Sequence, residues 1–128
     1  MTKKAIVTKA APDAIGPYSQ GVEAGPGRLF FISGQLPVDP RTGELAGDSP
    51  VEQAARSLEN IRAILEKAGL GMHNVVKTTI FLSDLAFFRD VNQVYSGFFE
   101  EPFPARATVQ VAALPMGAGV EIECIAIG

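Results

Sequence analysis

The last quarter of the chain places a single arginine and a glutamate in short apolar segments whose residues alternate in character. In the predicted strand 105–111, Arg106 shares one face with Thr108, and in the predicted strand 120–127, Glu121 lies on the polar face. An arginine presents a planar fork that matches a carboxylate and stays charged at any working pH. A nearby glutamate can orient a water molecule or move a proton. Together these residue types suit the hydrolysis of a small carboxylated substrate.

A solvated sheet face would show the same polar row, and the pattern alone leaves the two interpretations open. The size of the substrate bears on the choice. A ligand of about six heavy atoms gains at most roughly 9 kcal/mol on binding, even at the best efficiency per atom. A small acid therefore depends heavily on one charged contact, and Arg106 meets that need.

The distance between the two residues depends on the order of the strands. If residues 105–111 and 120–127 formed a simple hairpin, Arg106 would lie opposite Ile125. It would then be roughly 13 Å from Glu121 along the strand, at about 3.3 Å per residue. A shared site would require another strand order, a bulge or a contribution from a neighbouring chain.

Three other places in the sequence could contribute to a site. The glycine-rich segment 16–21 around Tyr18 is a turn between strands or a ligand-binding loop. Ser33 and Gly34 end an apolar strand, where free backbone amides often meet ligands. Asn92 either hydrogen-bonds a backbone group inside the core or faces a ligand. The glycine spacing fits neither a P-loop nor a dinucleotide-binding fingerprint.

Two helices and six strands are predicted to position these residues. Ser49, Pro50 and Glu52 form a capping pattern ahead of apolar residues at helical spacing, and Gly69 ends that helix. A second helix is predicted to start near Ser83 and to carry the asparagine on its apolar face. The strands are predicted at residues 4–8, 21–24, 28–32, 75–82, 105–111 and 120–127. We expect a single domain of residues 1–128 with an α+β fold and both helices on one face of the sheet.

The strands are apolar on both faces. Phe30 and Ile32 alternate with Leu29 and Phe31, so each face of that strand carries large hydrophobic side chains. Two helices cover only one side of a sheet. The other side is most simply covered by further copies of the chain, so we predict a homo-oligomer.

Composition narrows the class of protein. The 128 residues carry a formal net charge of −3, which argues against a protein built to bind nucleic acid. Cys124 is the only cysteine and His73 the only histidine, so a metal site is not expected. No apolar run is long enough for a membrane span, and the N-terminus lacks a secretory signal. We expect a cytoplasmic protein.

Six short motifs occur in order over nearly the whole chain. They are Gly-Pro-Tyr-Ser-Gln-Gly at 16–21, Ser-Gly-Gln-Leu-Pro at 33–37, Val-Lys-Thr-Thr at 76–79, Val-Asn with a tyrosine at 91–95, Pro-Ala-Arg at 104–106 and Val-Glu-Ile at 120–122. In this order and spacing they resemble the RidA/YjgF family. The resemblance implies a chorismate-mutase-like α+β fold with a mixed six-stranded sheet, assembled as a homotrimer with ligand clefts between adjacent subunits.

The resemblance also implies an activity that needs no cofactor. This is the hydrolysis of enamine and imine intermediates, such as 2-aminoacrylate, 2-iminopropanoate and 2-iminobutanoate, to 2-oxo acids and ammonia. Arg106 would bind the substrate carboxylate and Glu121 would position the attacking water. The residues implied to line the pocket are Tyr18, Ser33, Gly34, Asn92 and Thr108, with Phe88 contributing across the interface.

Some family members carry cysteine where this chain has Thr108, so thiol chemistry at that position is excluded here. The same residues are compatible with two alternative functions. A non-catalytic module could use the same cleft to sense small acids. An endoribonuclease or translation inhibitor, as attributed to some relatives, fits less well with the acidic charge and the absence of a histidine pair.

Overall fold

The computed structural model describes every residue from Met1 to Gly128. Its strands are β1 (Thr2–Ile6), β2 (Gly21–Gly25), β3 (Leu29–Gln35), β4 (Val75–Leu82), β5 (Ala105–Gln110) and β6 (Val120–Ile127), and its helices are α1 (Pro50–Lys67) and α2 (Phe88–Ser96). No helix is both long and apolar enough to cross a bilayer. The predicted α+β class, with two helices packed on a mixed sheet, is confirmed.

The six strands form two sheets rather than one continuous sheet. β1 and β2 pair as an antiparallel hairpin, and the other four strands run in the order β3-β6-β4-β5. β4 is parallel to β5 and antiparallel to β6, so the larger sheet is mixed. β5 and β6 therefore do not form a hairpin, because β4 lies between them.

Local sequence signals account for α1. The Ser49 side chain accepts a hydrogen bond from the backbone of Glu52, and Pro50 occupies the first turn, where its missing N–H costs nothing. At the other end Gly69 has a φ of +80°, and Leu70 N–H donates to the Leu65 carbonyl. This is a Schellman ending, which requires the left-handed backbone that glycine adopts most easily.

The second helix begins later than predicted. Asp84 accepts a hydrogen bond from the backbone of Ala86 and starts a single turn of 3-10 helix, Leu85–Phe87, and the α-helix follows from Phe88. The predicted start near Ser83 therefore marks the short turn and not the α-helix. This displacement places Phe88 in the first turn of α2, at the edge of the sheet.

The core lies between the helices and one face of the four-stranded sheet. Leu58, Ile61 and Leu65 of α1 pack there with Ile80 and Ile122, all of them buried. Burying a side chain of this size stabilises the fold by about 1.5–3 kcal/mol. We call this side of the sheet the helix face.

The opposite side of the sheet is not covered by any element of the chain, and we call it the open face. Leu29 and Phe31 of β3 and Val109 of β5 are exposed on it, Phe31 to 70%. An exposed apolar surface of this kind marks an interaction site more often than a solvated surface.

Candidate active site

Arg106 projects from the helix face of β5. Its register partner on the neighbouring strand is Thr78, whose side chain is buried against α2. The guanidinium donates a hydrogen bond of 2.6 Å from Nη1 to the Oδ1 atom of Asn92 on α2. Neither interpretation of Asn92 describes this contact, because its partly buried amide bonds another side chain and not a backbone group. The amide bonds only one of the three guanidinium nitrogens, Nη1.

Three aromatic rings surround the same guanidinium. The Arg106 Cζ atom lies 5.1 Å from the ring centre of Tyr18, 5.0 Å from that of Tyr95 and 5.7 Å from that of Phe88. The faces of such rings carry partial negative charge and attract a cation. Phe88, which the resemblance assigned to the neighbouring side of an interface, thus contacts the arginine of its own chain.

Arg106 has no carboxylate partner. The three ion pairs of the chain are Lys9–Asp13, Arg41–Asp39 and Arg62–Glu59. Burial lowers the pKa of the Arg106 guanidinium, and the neighbouring tyrosines act in the opposite direction. An arginine stays charged even so. The chain therefore holds a partly buried cation whose charge no anion of its own compensates.

The glycine-rich segment of residues 16–21 is both a turn and part of this site. Ser19 pairs with the start of β5: its backbone donates to the carbonyl of Pro104 at 3.1 Å, and its side chain to that of Phe103 at 2.5 Å. This fixes the preceding Tyr18 ring against Arg106. A Cβ atom at Gly16 would lie 3.8 Å from Arg106 Nη2, so the backbone itself borders the guanidinium.

Thr108 lies two residues further along the same face of β5. Its Oγ1 atom is buried without a hydrogen-bond partner. A buried hydroxyl without a hydrogen-bond partner lowers the free energy of unfolding, so its presence in a native protein calls for an explanation. Gln110, the next residue in the row, accepts a hydrogen bond from the backbone of Leu85 and has a structural role.

Tyr95 is a site residue that the sequence analysis did not select. It lies three residues after Asn92 on α2 and is completely buried, and its hydroxyl is 2.8 Å from the Oγ1 atom of Thr78. Burial raises the pKa of Tyr95 to about 12, so its hydroxyl stays protonated. The signal was present in the helical spacing of Phe88, Asn92 and Tyr95, which puts all three side chains on one face.

Glu121 lies on the other side of the sheet. Its register partner is Phe81, three residues along β4 from Thr78, so the two partners point to opposite faces. Glu121 is therefore on the open face. Two strand spacings of about 4.8 Å and three residues of about 3.3 Å put its Cα atom about 14 Å from that of Arg106.

Gly34 and the preceding Ser33 lie on β3, close to Glu121. They form a bulge in β3 between the register pairs Ile32–Cys124 and Gln35–Ile122. A Cβ atom at Gly34 would overlap the Oε2 atom of Glu121, so the glycine leaves the space that this carboxylate fills. The exposed Ser33 lies next to them at the strand end.

The predicted site is thus divided into two half-sites. The arginine half-site, on the helix face, contains Tyr18, Phe88, Asn92, Tyr95, Arg106 and Thr108. The glutamate half-site, on the open face, contains Ser33, Gly34 and Glu121. Within one chain the sheet separates them, so one small molecule cannot contact both.

A cavity of about 700 Å³ lies behind Tyr18, between β1 and residues 101–103. Ile6, Val7 and Phe103 give it an apolar lining, and Asp13 and Glu101 add two carboxylates. These carboxylates would repel an anionic ligand, and Arg106 does not line the cavity. Arg106, and not this cavity, is therefore the candidate anion-binding group.

Known proteins resemble this chain over almost its whole length. Residues 8–128 match the endoribonuclease L-PSP family. The 2-iminobutanoate/2-iminopropanoate deaminase of Salmonella typhimurium is 51% identical, with 97% of each chain covered. The mouse protein of the same name is 49% identical, covering 98% of this chain and 91% of its own. The solved structure of Escherichia coli TdcF with bound serine has a TM-score of 0.74 and 48% identity, with 98% of both chains covered. Other relatives carry only the RutC family name.

Proposed function

This chain belongs to the endoribonuclease L-PSP family, which includes the RidA/YjgF proteins, and we propose that it hydrolyses small carboxylated imines and enamines to 2-oxo acids and ammonia. The relatives named 2-iminobutanoate/2-iminopropanoate deaminase support this reaction class. The substrates we propose are 2-iminopropanoate, its enamine form 2-aminoacrylate, and 2-iminobutanoate.

The observation that carries the proposal is the uncompensated cation at Arg106. Three aromatic rings have their centres within 5.7 Å of its Cζ atom, and one amide holds it in place. A charge in such surroundings gains more from a bound anion than a solvated charge does. Because Asn92 occupies only Nη1, the remaining N–H groups are free to bind one carboxylate through two hydrogen bonds. This arrangement suits a monocarboxylate of small size.

The chemistry requires a water molecule at the imine carbon. We assign its positioning to Glu121, whose carboxylate lies against the bulge at Gly34. Water adds across the C=N bond, the resulting amino alcohol releases ammonia, and a C=O bond replaces C=N. Imines hydrolyse in water unaided, so orientation and modest electrostatic help are sufficient for the enzyme.

The two half-sites must come from different chains if they act on one substrate. The arginine half-site lies at the β5 edge of the sheet and the glutamate half-site on the open face. Packing the open face of one copy against the β5 edge of another would bring them together and cover Leu29 and Phe31. We propose a homotrimer with one complete site at each subunit boundary. Light scattering that shows a stable monomer at micromolar concentration would contradict this assembly.

A second candidate function is a sensor of small acids. The contacts of the arginine half-site lie within one chain, and it could bind a 2-oxo acid without any chemistry. Glu121 distinguishes the two functions. In an enzyme, Glu121→Ala abolishes turnover and leaves 2-oxobutanoate binding intact, whereas a sensor never consumes an imine.

The deciding experiment is a coupled assay. A serine dehydratase generates 2-aminoacrylate, and the purified protein is added to measure whether pyruvate appears faster. We expect acceleration by the wild type and none by Arg106→Ala. Arg62→Ala is the matched control, because Arg62 also stacks on an aromatic ring, 4.7 Å from the centre of Phe98, but its charge is paired with Glu59. Acceleration by Arg106→Ala equal to that of the wild type would refute the assignment.

A further inference from the structure

We propose that Thr78 and Tyr95 are positioning residues, whose buried hydroxyl pair holds the Tyr95 ring beneath the Arg106 guanidinium and so sets the direction of its fork. The inference rests on the proposed function only in taking a carboxylate as the ligand of Arg106. It concerns how the site is built, and it holds for catalysis and for sensing alike.

The hydroxyl pair joins the helix to the sheet. Thr78 is on β4 and Tyr95 on α2, both side chains are completely buried, and their oxygen atoms are 2.8 Å apart. A tyrosine hydroxyl often reaches solvent, while the ring stays in apolar surroundings. Here the hydroxyl points inward instead. Its hydrogen bond to Thr78 therefore restricts rotation of the ring in addition to the packing.

The pair also connects directly to Arg106. Thr78 is the register partner of Arg106 in the sheet, and the ring that it holds lies 5.0 Å from the Arg106 Cζ atom. Asn92, almost one turn earlier on α2, binds the same guanidinium through Nη1. One contact is to a ring face and the other to an edge nitrogen, so together they define the orientation of the guanidinium plane.

The ring contributes no compensating charge. Burial raises the pKa of Tyr95 to about 12, and its hydroxyl remains neutral in the pH range in which imines are formed and consumed. The positive charge of Arg106 is therefore held in place but not neutralised. It remains available to the carboxylate of a ligand.

A hydrogen bond with a purely structural role would look the same in the structure, so the test must separate an effect on stability from an effect on ligand binding. We would compare Thr78→Val, Tyr95→Phe and the double variant, which removes both hydroxyls while nearly conserving shape. A lone buried hydroxyl is destabilising, but removing both partners together is close to neutral. Thr78→Val should therefore lower Tm, and the double variant should recover most of that loss.

The measurement is the Kd of 2-oxobutanoate, the product expected from 2-iminobutanoate, by calorimetry, together with KM and kcat in the coupled assay. We expect Kd and KM to rise about fivefold in all three variants, consistent with the loss of one ordinary hydrogen bond that fixes the ring, and kcat to stay within about twofold. Ser57→Ala is the control, since it removes another buried hydroxyl, one without a partner and outside the site. It should leave Kd unchanged.

The outcomes separate the two proposals. A double variant that regains both wild-type Tm and wild-type Kd would show a structural role only and overturn the positioning inference. If the wild type binds 2-oxobutanoate no better than Arg106→Ala, Arg106 is not a carboxylate anchor. The proposed function then fails, and the positioning inference fails with it. If only the coupled assay is negative while the Kd values behave as expected, the positioning inference stands and catalysis is refuted.

Discussion

Equal amounts of Arg106→Ala and Glu121→Ala chains, unfolded together and refolded, should regain about one quarter of wild-type activity. Each variant alone lacks one half-site at every position. A mixed assembly brings an intact arginine half-site from a Glu121→Ala chain against an intact glutamate half-site from an Arg106→Ala chain. Within a single chain the sheet keeps the two apart, on opposite faces.

The magnitude follows from random assembly. A boundary is complete when the chain giving the arginine is a Glu121→Ala chain and the chain giving the glutamate is an Arg106→Ala chain. Each condition is met half of the time, so about one boundary in four is active, whatever the size of the ring. Under the proposed function, the parent with Arg106→Ala would lose two charge-assisted hydrogen bonds to the substrate, or roughly 3–6 kcal/mol, which is a loss of at least about a hundredfold. The recovered activity therefore stands well above the background of that parent.

The coupled assay measures the recovery, and native mass spectrometry verifies that mixed assemblies have formed. The control mixes Arg106→Ala with the double variant Arg106→Ala/Glu121→Ala. In this mixture no chain contributes an intact arginine half-site. It should stay at the background level. Mixed assemblies that form in the statistical proportion and remain inactive would refute a site shared between chains.

Three further predictions concern single features. Gly34→Ala should lower turnover at least about tenfold, because its Cβ atom would displace the Glu121 carboxylate; wild-type turnover in the coupled assay would contradict this. Burial raises the pKa of Cys124 and of Tyr95 to about 12, so the unfolded chain releases these protons first, and the free energy of unfolding should fall as pH rises from about 9 to about 12. Urea unfolding measures this, and Cys124→Ala should reduce the slope. Ser49→Ala should lower the free energy of unfolding in urea by about 1 kcal/mol, because the cap of α1 is lost. Ser49→Gly should lower it by only a few tenths of a kcal/mol, because glycine is itself a tolerated cap residue; equal losses would argue against the cap.

The parts of the fold that depend on neighbouring residues were predictable from the sequence. Ser49 and Gly69 delimit α1 because capping and a left-handed ending act within a few residues. Alternation correctly placed Arg106 and Thr108 on one face of β5. The face-sharing rule works inside one strand because it follows from local backbone geometry alone.

The order of the strands was not predictable in the same way. The short connection between residues 105–111 and 120–127 is compatible with a hairpin, yet β4 lies between them in the structure. Strand order is decided by long-range packing, and no local pattern encodes it. The alternation of Glu121 was also clear, but only the shared pairing with β4 shows that its face is opposite to that of Arg106.

The division of the site also relates binding to assembly. Asn92, Tyr18 and Tyr95 contact the Arg106 guanidinium within one chain, so under the proposed function an isolated chain would keep the surroundings of this cation. The proposed water-positioning carboxylate, Glu121, would have to come from a neighbour. Under this proposal, dilution or an interface substitution such as Phe31→Asp should abolish turnover and only weaken binding of 2-oxobutanoate. Full activity after the assembly is broken would refute the shared site, because both faces of one sheet would then have to act on one substrate. The distance of about 14 Å through the strands does not allow that.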